Sequence, residues 1–360
     1  MLSGSLWPAH PKPFPDEILS SWIVRVAEAN AIKLQTLCWM LFGNARSPWN
    51  RDIDRSAPKW LLKAICEHTG TNYWDAYHTT LTTYRTVLYP SRQRSGQLRW
   101  ILPVGTHAMT REGYGQQFCP QCLAEDEAPY FRKVWRVALF TFCPTHQVML
   151  YDACPSCGVP VVFHRRDFGA ELKKAKPICC CHACAHDFRE AARGEPNFPS
   201  GEVQRLFNEI LGFMQMPRGR REQFDVGFFA VLHQLCRIMG SRQNAGRLRK
   251  FIADRLAMEM ADIELGRTAF EHCRVRERHD LLLCALWLIA VPEERIREAW
   301  EAKAVRYNLM LKDINELPKW FRQLATGCSN WRRGYRRIKI GAVRDVCHGM
   351  LNDAKPPTGS

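Results

Sequence analysis

The sequence predicts a mainly α-helical fold with small β content, and three observations lead there. Apolar residues recur at helical spacing up to Tyr84 and again from Gly201 onward, with Gly, Pro and polar turns between the periodic stretches. Between those regions stand four close pairs of soft ligands: Cys119-Pro-Gln-Cys122, Cys143-Pro-Thr-His146, Cys154-Pro-Ser-Cys157 and Cys181-His-Ala-Cys184. Each pair turns the chain tightly enough to aim two ligands at one point, and two pairs complete the tetrahedron that Zn2+ takes in structural sites. The expected organisation is an N-terminal helix-turn-helix-like bundle over residues 1–97 and a central zinc-ribbon-like double zinc finger over 98–193. A C-terminal helical, basic domain over 194–345 follows, with a tail over 346–360 that is disordered at its end.

Residues 8–15 are rich in proline and read as an extended lead draped over a neighbour. A helix follows, with Asp16 placed to cap it, Glu17 suiting the positive first turn, and Ile18, Leu19, Trp22, Ile23, Val26 and Ala27 on one apolar face. Asn30 reads as its left-handed stop. A second helix turns Leu34, Leu37, Cys38 and Leu41 inward and ends at Gly43. The short turn between them gives the outline of a helix-turn-helix, a pattern that any small bundle shares. Cations collect next in the loop 46–55, and Lys33, Arg46, Arg51 and Arg55 are the candidates for DNA contact from this half. Pro58 opens a third helix carrying Trp60, Leu61, Leu62, Ile65 and Cys66, stopped by Gly70. A fourth, over 73–84, carries Trp74, Tyr77 and Tyr84, read as core rather than as platforms for bases. Residues 92–96 read as a linker, and 98–103 as a short strand leading to the first ligand pair.

Taken in chain order, the pairs form one site of three cysteines and a histidine (Cys119, Cys122, Cys143, His146) and one site of four cysteines (Cys154, Cys157, Cys181, Cys184). The short connection from His146 to Cys154 favours that order; spacing alone also allows a cross-braced arrangement. Cys179, Cys180 and Cys181 are consecutive, so the register of the fourth pair is open. Cys181 is chosen because it alone gives Cys-x-x-Cys with Cys184, and His182 and His186 read as solvated or satisfied histidines. With every position of both ions filled by protein, no place is left for an activated water, which points to scaffolding and away from catalysis. Residues 129–140 read as a helix or long turn, with Phe131, Trp135, Ala138 and Leu139 over the metal and Arg132, Lys133 and Arg136 outward. Val161-Val162-Phe163 reads as a second short strand, and 194–201, with Pro196 and Pro199, as the domain boundary.

Beyond that boundary the candidate helices are 203–214, 224–239, 248–260, 263–274, 278–289, 293–307 and 311–325, with basic connectors at 217–221 and 241–250. Near the end Trp320, Phe321, Trp331 and Tyr335 are interleaved with Lys319, Arg322, Arg332, Arg333, Arg336, Arg337 and Lys339. Cations among aromatics suit a phosphate backbone, where each neutralised phosphate releases counterions. Arg332, Arg333, Arg336, Arg337 and Lys339 are therefore the second set of DNA-contact candidates.

Composition bounds the function. Lys and Arg number 51 against 36 Asp and Glu, a net +15 that favours a polyanionic partner, nucleic acid first. No run of apolar residues is long enough to span a bilayer and the N-terminus lacks an export-signal layout, so a cytoplasmic protein is expected. In that reducing compartment paired cysteines signal metal. Of 16 cysteines, seven are assigned to zinc, and the rest read as buried thiols. Gly240 to Gly246 lacks the spacing and the Lys-Ser/Thr of a P-loop, and neither a two-metal carboxylate set nor a nucleophile elbow is found. A metal-dependent nuclease is thus poorly supported, and the chain reads as a non-enzyme.

Several of these stretches together resemble the TniQ family of bacterial transposition proteins, which includes TnsD. They are Phe14-Pro-Asp-Glu-Ile-Leu-Ser-Ser-Trp-Ile-Val-Arg-Val-Ala-Glu-Ala-Asn30, Phe118-Cys-Pro-Gln-Cys-Leu-Ala-Glu-Asp126, Pro129-Tyr-Phe-Arg-Lys-Val-Trp-Arg136, Cys143-Pro-Thr-His146 and Asp152-Ala-Cys-Pro-Ser-Cys-Gly158. The resemblance covers about residues 6–190. It implies an N-terminal helix-turn-helix, a central double zinc finger holding two Zn2+, and helical C-terminal domains with a further helix-turn-helix. It implies target-site selection, by binding DNA or docking on an RNA-guided CRISPR effector (Cascade) complex. An AAA+ ATPase of the TniB/TnsC type and the transposase complex are the implied partners, and a homodimer is open. A bacterial, cytoplasmic protein that is nucleoid-associated when bound to DNA is expected, and a zinc-stapled transcription regulator is the alternative. One departure stands out: the family tends to place Gly after the last cysteine, where this chain has Ala185.

Overall fold

The computed structural model describes residues 6–43, 48–56, 58–90, 96–107, 110–111, 113–166, 175–216, 224–240, 246–259, 269–312 and 317–330. Helices dominate these residues. Their β content is two antiparallel two-residue pairs, β1 (Thr106–His107) with β2 (Thr110–Arg111), and β3 (Phe142–Cys143) with β4 (Val148–Met149). The chain packs as two units, Met1–Pro196 with Glu271–Arg276, and Asn197–Phe270 with Glu277–Ser360. The stretches read separately as 1–97 and 98–193 therefore fall in one unit, and the division comes after Pro196.

In the first unit α1 (Leu19–Ala29) is buried along almost its whole length. Its N-terminal donors are satisfied by distant carbonyls: Ile18 N–H donates to Phe131 at 3.0 Å and Leu19 N–H to Thr79 at 3.0 Å. Asp16 is consequently not the cap expected of it. It takes φ 57°, and its carboxylate accepts the Val134 N–H at 3.2 Å and faces Lys133. Asn30 is not left-handed either, with φ −92°; Ala31 takes that role at φ 51°. The Asn30 amide instead pairs with both backbone groups of Ala9, fixing the proline-rich lead on α1. The same lead accepts the Trp22 indole N–H at Pro11, and Trp7 stacks on His68 of α4 (Lys59–Thr69).

The helix α2 (Leu34–Phe42) ends at Gly43 with φ 67°, and α4 ends at left-handed Gly70, both as the glycines signal. The basic loop holds an additional short helix, α3 (Ile53–Ser56), with Asp54 fully buried. The fourth helix, α5 (Tyr73–His78), stops early because the Thr79 and Thr80 hydroxyls bond back to the Ala76 and Tyr77 carbonyls, and a 3-10 turn, Leu81–Tyr84, follows. Of its aromatics only Tyr84 is core; Trp74 is 66% exposed.

Residues 98–103 form no strand. Trp100 sits at φ 67°, which breaks the extended run and leaves a single bridge, Ile101 to Val137. At Gly115 a Cβ would lie 2.2 Å from the Pro103 carbonyl oxygen, so only a hydrogen fits there. Residues 129–140 contain a 3-10 turn, Lys133–Arg136, in place of a longer helix, and Val161-Val162-Phe163 leads into another, Phe163–Arg165. Phe131, Trp135, Ala138 and Leu139 are buried as expected. Arg136 is not outward but completely buried, gripping Asp52 at 2.6 Å and Asp54 at 3.2 Å, while Arg132 pairs with Asp126 at 2.7 Å. Arg136 reverses because two acids of the loop read as basic fold over it.

The segment 271–276 closes this unit. The Glu271 carboxylate accepts the Trp100 N–H at 2.9 Å, and buried Asp152 accepts both the Arg274 guanidinium and the Val275 N–H. In the second unit α7 (Gly201–Gln215) is capped by Ser200 and α8 (Val226–Met239) by Asp225. The helices α9 (Arg247–Leu256), α10 (Val275–Ala290), α11 (Pro292–Glu301), α12 (Tyr307–Met310) and α13 (Lys319–Asn330) complete the order. Their core includes Phe207, Phe229, Leu232, Leu282, Leu286 and Phe321. The expected 248–260 helix ends at Leu256 because Ala257 turns left-handed, 293–307 is interrupted after Glu301 with Lys303 at φ 59°, and the last helix starts only after Pro318. The first half of the expected 263–274 helix lies outside the described residues, and the second half carries a 3-10 turn at Phe270–His272. Among the described residues no helix is long and apolar enough to cross a membrane.

Candidate metal centres

Each ligand pair is built by the same local device. The backbone N–H four residues after the first cysteine of a pair donates to that cysteine's carbonyl: Leu123 to Cys119 at 3.2 Å, Gln147 to Cys143 at 2.8 Å, Gly158 to Cys154 at 2.9 Å and Ala185 to Cys181 at 3.0 Å. In the first pair this bond belongs to α6 (Pro120–Glu125), which Cys119 caps by accepting the Cys122 N–H while Pro120 pre-sets the first turn. In the other three the chain must turn away at once. The residue after the second ligand is left-handed each time: Gln147 at φ 51°, Gly158 at 72° and Ala185 at 65°. For the second pair the turn is the tip of the β3–β4 hairpin, with Cys143 opposite Val148.

These turns gather two sets of four donors. In the first, Cys119, Cys122, Cys143 and His146 bring their ligand atoms within 4.8 Å of one another, and in the second Cys154, Cys157, Cys181 and Cys184 do the same. Both sets follow chain order, and Cys181 stands in the second set. The Cys122 and Cys143 sulfurs are 3.7 Å apart, Cys154–Cys184 and Cys157–Cys181 are 3.6 Å, and the His146 Nδ1 lies 3.3–3.5 Å from three sulfurs. A tetrahedron with bonds of ~2.3 Å to sulfur has edges of about 3.8 Å, slightly shorter towards nitrogen. The donor sets therefore fit a four-coordinate metal ion. Packed this closely, three thiols cannot all ionise without a cation. The contacts with Cys119 and Cys143 push the Cys122 thiol far up, and those with Cys119 and Cys122 pull Cys143 down.

The two sets differ in cover. All three cysteines of the first are buried, whereas Cys157 and Cys184 of the second are exposed. The first set also has a neighbour that spacing did not reveal. His146 presents Nδ1 to the sulfurs, and its Nε2 lies 2.8 Å from Glu125 Oε2; the other oxygen of Glu125 accepts from the Gln121 amide at 2.9 Å. The placement of Gln121 and Glu125 one turn apart on α6 is legible as helical spacing, but the hairpin that carries His146 to them is not. Cys179 and Cys180 lie near Asp187, whose carboxylate is already gripped by Arg189 at 2.6 Å.

Three of the DNA-contact candidates fall among the described residues. Lys33 is half-buried at the start of α2, Arg51 is exposed, and Arg55 is half-buried with its guanidinium on the Gly96 carbonyl. Arg46, Arg332, Arg333, Arg336, Arg337 and Lys339 lie outside the described residues.

Comparison with curated proteins gives no match. A family model described as TniQ matches residues 8–150, a span that includes the whole first donor set.

Proposed function

From the assignment of this chain to the TniQ family, which the match over residues 8–150 supports and which is associated with transposition target selection, we propose that it is a non-catalytic target-site selector. It marks an insertion site, by binding DNA or by docking on an RNA-guided CRISPR effector complex, and recruits an AAA+ ATPase that engages the transposase. The observation that carries this reading is the pair of four-donor sets, one inside the family match and one following it. We assign a Zn2+ ion to each, with Cys119, Cys122, Cys143 and His146 holding one and Cys154, Cys157, Cys181 and Cys184 the other. Saturated sites of this kind are scaffolds, and zinc contributes ~10–16 kcal/mol of apparent binding free energy to small modules of this type.

In this reading α1 and α2 form the helix-turn-helix of a target-facing region, 1–97. Residues 98–193 are the zinc scaffold, 194–345 a basic domain, and 346–360 a tail beyond it. Lys33, Arg46, Arg51 and Arg55 contact DNA from the first region, and Arg332, Arg333, Arg336, Arg337 and Lys339 from the last. The protein acts in the bacterial cytoplasm, on the nucleoid when bound to DNA, alone or as a homodimer.

Footprinting of the purified chain, with and without the ATPase, tests the reading. A footprint on the target that the ATPase extends is the expected result. A two-fold symmetric footprint upstream of a promoter, unchanged by the ATPase, indicates a transcription regulator instead. Reversing the charges of Arg332, Arg333, Arg336 and Arg337 should weaken DNA retention and flatten its salt dependence, by about one unit of log-log slope for each phosphate no longer neutralised. An unchanged slope puts the DNA surface elsewhere.

A further inference from the structure

The first donor set is guarded by a carboxylate. The His146 ring is only 9% exposed, and all three distances from Nδ1 to the sulfurs of Cys119, Cys122 and Cys143 fall between 3.3 and 3.5 Å, so the ring nitrogen turned to the metal position is Nδ1. The opposite nitrogen, Nε2, meets Glu125 Oε2 at 2.8 Å. A histidine that ligates through one nitrogen must carry its proton on the other, and a carboxylate at hydrogen-bond distance fixes that tautomer, orients the ring and strengthens the nitrogen as a donor. Glu125 does not hang there freely. It is the last residue of α6, one turn beyond Cys122, and the Gln121 amide holds its second oxygen at 2.9 Å. The same short helix thus supplies two things: the sulfur of Cys122 to the metal position, and the acceptor that sets the ring of the ligand arriving from the β3–β4 hairpin.

We propose that Glu125 is a positioning residue of the first metal centre: it accepts the Nε2–H of His146 and so sets the tautomer and orientation in which His146 binds the ion. The inference rests on the zinc reading above. It also explains an asymmetry between the sites, since in the second set the fourth donor is a thiol, which needs no tautomer to be chosen.

The test uses the full chain. Zinc affinities of both sites are measured by competition with a chelating dye for the wild type, Glu125→Ala and Glu125→Gln, and the His146 ring is observed by nitrogen-15 NMR in histidine-labelled protein. Outer-sphere partners of this kind are typically worth about 10–100-fold in metal affinity, and since Glu125 is 58% exposed the low end is expected. Glu125→Ala should weaken one of the two zinc ions about tenfold and leave the other unchanged. Glu125→Gln, whose amide oxygen still accepts the Nε2–H, should restore most of the loss, and the wild-type ring should show Nε2 protonated with zinc bound. Unchanged affinities in Glu125→Ala, or a wild-type ring protonated on Nδ1 with zinc bound, would overturn the assignment while leaving the zinc reading intact. A wild-type chain that binds no zinc removes both together.

Discussion

Ala185 holds a backbone conformation that its side chain resists. The equivalent position of the third ligand pair is Gly158, and both sit at positive φ, 65° and 72°. A left-handed non-glycine residue costs roughly 1–2 kcal/mol, partly offset by the lower chain entropy it leaves in the unfolded state. Ala185→Gly is therefore expected to raise the stability of the zinc-loaded protein by about 1 kcal/mol, and Gly158→Ala to lower it by a similar amount, both read by chemical denaturation. Ala185 is in this sense a strained residue at a turn whose geometry matches that at Gly158. Arg136 poses the opposite problem, a cation with no exposed surface that two carboxylates and the Leu102 carbonyl surround. Removing it leaves Asp54, equally buried, without its counter-charge. Arg136→Ala should cost about 3–5 kcal/mol, as breaking a buried pair does; a loss below about 1 kcal/mol would mean that the interior there is wetter than its burial suggests.

Among the elements, the two best described by their own sequence are α4 and α7, where a breaker or cap stands at the right end: Gly70 closes the first and Ser200 opens the second. By contrast, α1 is started by carbonyls far away in sequence, and the carboxylate of Asp16, the cap the sequence offers it, serves another segment. The first turn of α10 behaves likewise, because the Val275 N–H at its N-terminus is accepted by Asp152, 123 residues earlier. That acid also takes the Arg274 guanidinium, which lies over the Tyr114 ring at 3.9 Å. Asp152→Ala should thus cost about 1–2 kcal/mol, the loss of a cap together with a charge-assisted bond. Hydrogen exchange at residues 271–276 should rise in the variant; an unchanged pattern there would show that the segment is held by other interactions.

At the scale of the molecule, both donor sets and the N-terminal helices share one unit. Phe131 bonds to Ile18 and Ser21, and the backbone at 133–134 to Asp16, so the N-terminal helices rest on the same loop that the first donor set organises. Chelation is expected to remove hydrogen-exchange protection from α1 as well as from residues 118–151. Retention of protection in α1 would show that the N-terminal helices fold without the metal centres. The better-exposed second set should yield its ion to a chelator first, giving two phases of release with the Cys157 and Cys184 thiols alkylated in the earlier one. What the sequence by itself determined was whatever is local: the close pairs of donors, whose spacing is a property of one tight turn, and the helices that carry their own periodicity and breakers. Tertiary structure decided the rest. It buried Arg136, left Trp74 in solvent, took Asp16 away from its helix, brought Glu125 to His146 and returned residues 271–276 to the first unit. The physical reason is the same in each case: whether a charged or polar group faces water or the interior depends on which partner arrives to satisfy it, and here those partners come from distant segments, whose approach no local pattern records.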